Sequence, residues 1–99
     1  MIQRRAYRFP VKLPVTFSGE REGTGVLYDV SLKGCRIVSR TPLRIGHALS
    51  LLTYQGAGGS PIAIATAEVR WAVALQCGLA FRSLDAEEPI RQLIASRTS

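Results

Sequence analysis

Three guanidiniums stand close together at Arg4, Arg5 and Arg8, and no carboxylate appears before Glu20 to neutralise them. Guanidiniums are planar forks that bind phosphate oxygens in pairs and stack on flat π-faces. Such a cluster repels itself unless solvent or a counter-anion relieves it. Further along, Asp29 and Ser31 stand two apart, ahead of Gly34. On an extended strand residues i and i+2 share a face, so the carboxylate and the hydroxyl are expected to point the same way. An anion carrying N–H donors on a flat ring would engage all of these groups together.

Spacing alone does not single out the first cluster. Of thirteen basic residues only Lys12 and Lys33 are lysines, leaving eleven arginines in 99 residues. Chance then gives roughly one Arg-x-x-x-Arg pair, and the chain has Arg4 with Arg8, Arg36 with Arg40, and Arg40 with Arg44. The first pair differs in its position, just ahead of the first strand-like segment. A formal charge of +6 agrees with an anionic partner but does not choose among nucleic acid, acidic lipid and nucleotide.

The elements that must position these residues follow from periodicity. Val11, Leu13, Val15 and Phe17 alternate with Lys12, Pro14, Thr16 and Ser18, the pattern of a half-buried strand, with Pro14 suggesting an edge or a bulge. A second strand is expected over 24–30, with Val26, Tyr28 and Val30 inward and Leu27, Asp29 and Ser31 outward. After a turn at Leu32-Lys33-Gly34, Cys35 and Ile37 look inward and Arg36, Val38 and Arg40 outward, the two arginines reading either as added phosphate contacts or as a solvated face, the latter favoured. Strands follow at 47–54, with Leu49 and Leu51 inward, at 62–71, and at 75–81, with Ala72-Val73-Ala74 as the break. His47, the one histidine, reads as a surface or strand-start residue. The glycine-rich run from Gln55 to Pro61 reads as a hairpin loop. The period then changes: Asp85 fits a helix cap with Glu88 reaching back, Pro89 suits a first turn, and Ile90, Leu93 and Ile94 form an apolar stripe. Six short strands and one helix over 85–97 predict a small antiparallel barrel, an all-β-dominated fold in a single domain.

Hydrophobic residues make up 46% and charged residues 20%, as in an ordered globular chain. No run approaches the ~18 apolar residues of a membrane span, and the first residues do not read as a secretory signal. Cys35 and Cys77 have no zinc-ligand spacing and read as reduced core residues. A cytoplasmic protein without membrane insertion is expected.

Arg4-Arg5-x-x-Arg8 followed by Asp29-x-Ser31-x-x-Gly34, on this strand pattern, resembles the PilZ domain, the bacterial receptor for cyclic di-GMP. Val69-Arg70-Trp71 and Gly78-Leu79-Ala80-Phe81 look like that family's later strand patterns, so the resemblance covers nearly the whole chain. It implies a six-stranded barrel over 11–82 with a C-terminal helix, preceded by a flexible arginine arm over 1–10 that folds over the ligand. By the same resemblance Arg4 and Arg8 contact guanine edges and phosphates, Arg5 contacts phosphate, and Asp29 accepts from a guanine N–H. Ser31 would hydrogen-bond phosphate or base, and Gly34 would allow positive φ or close approach of the ligand. Trp71 has two readings, a core residue by its parity with Ala67 and Val69, or a ligand-facing ring at a strand end. Tyr7 either docks the arm on the barrel or stacks likewise.

The expected function is a cyclic di-GMP receptor module whose ligand reorders the arm and alters a surface for an effector protein. The alternative is a PilZ-like interaction module that does not bind the nucleotide. Nucleic-acid binding is disfavoured because only 7% of residues are aromatic and several fall at core parity. No phosphate loop with a Lys, metal set or nucleophile–base pair is legible, so an enzyme, a metal and a cofactor beyond the ligand are not expected.

Overall fold

The computed structural model describes residues 8–54, 61–82 and 87–98. Six strands, β1 (Phe9–Gly19), β2 (Gly23–Val30), β3 (Gly34–Ser39), β4 (Ala48–Tyr54), β5 (Pro61–Val73) and β6 (Gln76–Phe81), are followed by α1 (Glu87–Thr98). The strands close into an antiparallel barrel in the order β1-β2-β3-β6-β5-β4, with β1 pairing both β2 and β4. Closure gives every strand two neighbours, which removes the unpaired edge of an open sheet. The expected all-β barrel with a C-terminal helix is the fold observed.

The core follows the alternation of β1: Val11, Leu13, Val15 and Phe17 are buried against Ile37 of β3, Leu49 and Leu51 of β4 and Leu79 of β6. Pro14 sits one residue before β1 begins to pair with β4 at Val15↔Thr53. Cys35 and Cys77 are both buried free thiols. Burial pushes Cys77 up to about 11 and raises Cys35 further, so neither thiol is ionised near neutrality. The stripe on α1 packs against β5, with Ile90 and Leu93 fully buried and Ile94 partly so. The described helix runs Glu87–Thr98, and the expected cap Asp85, like 55–60 of the expected loop, lies outside the described residues.

Two expected facings are corrected by bulges. On β2, Leu27 pairs with Ile37 while Asp29 pairs with Arg36, so Tyr28 is an extra residue. A bulge flips the parity beyond it, and the core residues of β2 are therefore Leu27 and Val30, with Val26 and Tyr28 only half-buried. On β5, Val69 pairs with Leu79 and Trp71 with Gly78, which leaves Arg70 as the extra residue. Trp71 then turns outward and Ala72 packs on the core. The break expected at Ala72–Ala74 also moves: β5 runs on to Val73 and the turn is Ala74-Leu75. Ala74 takes φ 55°, the sign that a two-residue hairpin needs at its first position.

Candidate functional site: a carboxylate between two guanidiniums

The β2 bulge delivers Asp29 to the outer face, where its carboxylate is 18% exposed. Its Oδ1 accepts from Arg8 Nη1 at 2.6 Å, and its Oδ2 accepts from Arg36 Nε at 2.8 Å. The two guanidiniums are held differently. Arg36 also donates from Nη1 to Gln76 Oε1 at 3.0 Å, and its Cζ lies 5.4 Å from the centroid of the Tyr28 ring. Arg8 lies just before β1, 57% exposed, with Asp29 as its hydrogen-bond partner. An exposed ion pair gains little over hydration and exchanges easily, so Arg8 is the movable partner and Arg36 the fixed one. Two cations facing one carboxylate leave the cluster with excess positive charge, which favours an anion.

The turn after β2 fixes where Asp29 stands. Ser31 is 4% exposed, and its Oγ accepts from the backbone N–H of Lys33 at 3.1 Å and of Gly34 at 3.2 Å. The Ser31 N–H donates to Gly34 O at 2.8 Å, and Phe81 N–H donates to Lys33 O at 2.8 Å, tying the turn to the end of β6. A serine hydroxyl has one donor and two acceptor sites. Here both acceptor sites are used inside the turn, and the donor points at Gly34 O, 3.4 Å away. Asp29 and Ser31 therefore do not present a shared outward face, because Ser31 lies beyond the strand end and turns in.

Gly34 differs from expectation as well. Its φ is not positive, and a Cβ there would overlap the Leu79 carbonyl oxygen of β6. Glycine is needed for the approach of a neighbouring strand. Arg4, Arg5 and Tyr7 lie outside the described residues.

The register places the outward residues in one row across the barrel. Pro10 of β1 pairs with Asp29, Asp29 with Arg36, Arg36 with Gly78, and Gly78 with Trp71. Trp71 is 39% exposed, so its core reading does not hold. Arg36, Tyr28 and Gln76 belong to the cluster and were not among the expected site residues. Arg36 had a signal: a turn that closes at Gly34 sets Val30 opposite Cys35 and therefore Asp29 opposite Arg36. Gln76, on β6, had none.

A family model for the PilZ domain matches residues 2–96. The chain belongs to the PilZ domain family. Solved structures agree on the fold: the PilZ domain of CeSA from a cellulose-synthesizing bacterium superimposes with a TM-score of 0.74 at 19% identity, covering 95% of this chain and 100% of that one. The Bacillus subtilis inhibitor of motility, MotI/DgrA, gives a TM-score of 0.74 at 19% identity, covering 99% of this chain and 52% of that one. This PilZ domain thus spans about half the length of the second protein. No curated protein matches the sequence. No helix among the described residues of this PilZ domain is long and apolar enough to cross a membrane.

Proposed function

We propose that this PilZ domain is a cytoplasmic receptor module for cyclic di-GMP, and that the ligand rearranges the arginine segment and alters a surface read by an effector protein. The observation that carries the reading is the Asp29 carboxylate, held on one oxygen by the anchored Arg36 and on the other by the exposed Arg8. A guanine edge offers paired N–H donors to a carboxylate, and a guanidinium relinquished by that carboxylate is free to take a phosphate. Binding then exchanges the Arg8–Asp29 pair for two pairs with the ligand, base on Asp29 and phosphate on Arg8. Arg4 and Arg5 add phosphate and base-stacking contacts in this scheme. Ser31 and Gly34 act on the ligand through the turn that holds Asp29.

Calorimetric titration with cyclic di-GMP, with GTP as control, tests the reading. Saturable binding selective for the cyclic dinucleotide is expected, weakening as salt rises because the contacts are exposed ion pairs. Arg8→Ala should lose binding by about tenfold or more, the scale of a charge-assisted contact, with an unchanged melting temperature because Arg8 precedes the barrel. Absence of binding by the folded protein, or an Arg8→Ala variant that binds like the wild type, would sink it.

A second reading, an interaction module without nucleotide, has one observation in its favour. Asp29 and Ser31 are fully partnered without ligand, while Val73 and Leu75 stand exposed on the β5–β6 hairpin. The same titration separates the two.

A further inference from the structure

The two ends of the barrel are unlike. One carries Arg8, Asp29 and the Ser31 turn. At the other, β1, β3 and β5 finish and β2, β4 and β6 start, so the turns at 20–22 and 74–75 and the connector at 40–47 gather there. The connector is tied to the β5–β6 side. Ser39 N–H donates to Leu75 O at 2.9 Å, Gly46 N–H donates to Val69 O at 2.8 Å, and Leu43 packs on the core. Between these ties Ile45 is 71% exposed, and on the hairpin Val73 is 66% and Leu75 54% exposed. They are the three most exposed large apolar residues among those described, and all three stand on two adjoining loops. Clustered apolar exposure of this kind marks a contact surface.

The charge around these tips has one sign. Arg40 and Arg44 are exposed, with no ion-pair partner among the described residues. The sequence has no Asp or Glu between Asp29 and Glu68, nor between Glu68 and Asp85. The carboxylates of this end, Glu20 and Glu22, belong to the β1–β2 turn on the opposite side of the barrel mouth, and Glu20 Oε1 accepts from the Ala48 N–H at 3.2 Å. The surface is also convex. The cavity between connector and hairpin, lined by Thr41, Leu43 and Ala74 among others, is about 10 Å³, room for one water. Anchoring side chains of a protein partner seat in pockets, and this space takes none. Protruding aliphatic tips beside guanidiniums suit a soft anionic surface, where apolar groups reach the acyl boundary and arginines meet phosphates.

We propose that the connector and the β5–β6 hairpin form a peripheral docking surface for an anionic phospholipid membrane. Ile45, Val73 and Leu75 enter the headgroup region, Arg40 and Arg44 meet lipid phosphates, and nothing spans the bilayer. The surface goes beyond the receptor reading and does not depend on it. Asp29 lies six residues along β2 from this end, roughly 20 Å at the rise of a strand. The domain is then held at a membrane with the Asp29 cluster turned to solution.

Flotation of the purified protein tests this, with vesicles of equal parts phosphatidylglycerol and phosphatidylcholine against phosphatidylcholine alone. The protein should float with the anionic vesicles, stay in solution with the neutral ones, and be released at about 0.5 M salt. Val73→Asp with Leu75→Asp should weaken flotation about tenfold or more, with an unchanged melting temperature because both side chains are exposed. Arg40→Ala and Arg44→Ala should each weaken it about fivefold, the effect of one basic residue at an anionic surface. Lys33→Ala, which removes a cation from the opposite end, should stay within about twofold. Wild-type flotation of the double Asp variant, or a Lys33→Ala loss equal to that of Arg44→Ala, would overturn the surface and leave net charge alone as the cause. A folded wild type that stays in solution with both vesicles overturns it as well, and returns the tips to a protein partner or a second copy. Nucleotide affinity is read separately by the titration above, so failure of one reading leaves the other standing.

Discussion

The two longest strands, β1 and β5, are built on opposite plans. In β1 every second residue from Val11 to Phe17 is buried and the residues between them face out, without a break. In β5 the inward residues are Ile62, Ile64, Ala67, Val69 and Ala72, so the spacing widens from two to three on two occasions. The first widening matches a register shift against β4 between Leu49 and Leu51, the second the shift against β6 at Arg70. The regular strand, whose one register shift lies at its start between Pro10 and Leu13, supplies core and no clustered chemistry. The broken one carries Trp71 onto the outer face that holds Arg36, as the bulge in β2 carries Asp29. Bulges re-aim side chains that strict alternation would assign elsewhere, and here two of them converge on one row.

The contrast is open to direct attack. The harshest test deletes Thr16 from the regular part of β1. Every side chain beyond the deletion changes face, so Phe17 leaves the core, and a loss of about 5 kcal/mol or complete unfolding is expected by denaturant titration. Next in size is Gly34→Ala, where a methyl would overlap the Leu79 carbonyl. A loss of about 3 kcal/mol, the upper range for overpacking, is expected in the same assay.

The third test probes the core that both plans share. Folding raises the pKa of both thiols, so the folded state holds protons that the unfolded chain releases above its ordinary thiol value. Stability from this source is complete below pH ~8.5 and falls as pH rises toward 11, by up to about 1.4 kcal/mol per unit for each thiol. Cys35→Ala with Cys77→Ala should flatten that decline in melts taken between pH 8 and 10.

The smallest effect is the most telling. Deleting Arg70 removes the β5 bulge yet leaves Trp71 out, Ala72 in and Val73 out, since these residues keep their places relative to Gly78, Cys77 and Gln76. A loss of only about 1 kcal/mol is expected, near the middle of the range for single changes in general, with tryptophan emission still that of an exposed indole. An unfolded Arg70 deletion beside a folded Thr16 deletion would invert the comparison.

What was legible in the sequence was whatever local period controls. The inward set of β1, the inward Cys35 and Ile37 of β3 and the stripe on α1 stand where alternation or the 3.6-residue repeat put them. The barrel followed from the number of strands and the need to cover their edges. Misreadings gathered at Tyr28 and Arg70, two of the extra residues at the register shifts, because a bulge is a relation between two strands and leaves no mark on one. Ser31 and Gly34, expected to meet the ligand, hold structural places in the barrel: the hydroxyl binds its own turn, and the glycine admits a neighbouring strand.

The sequence by itself determined the barrel, its core faces away from the bulges, and the family, through the Arg-x-x-x-Arg and Asp-x-Ser-x-x-Gly motifs. Those features depend on residues close in the chain, where side-chain type and spacing act directly. The tertiary structure alone decided that Asp29, Arg36, Gly78 and Trp71 share one row. Asp29 with Arg36 and Trp71 with Gly78 are hairpin pairs seven residues apart, but the β3–β6 register that joins the two pairs links strands far apart in the chain and is set by packing across the closed barrel. A shift of one residue in any of these registers would move a side chain from solvent to core.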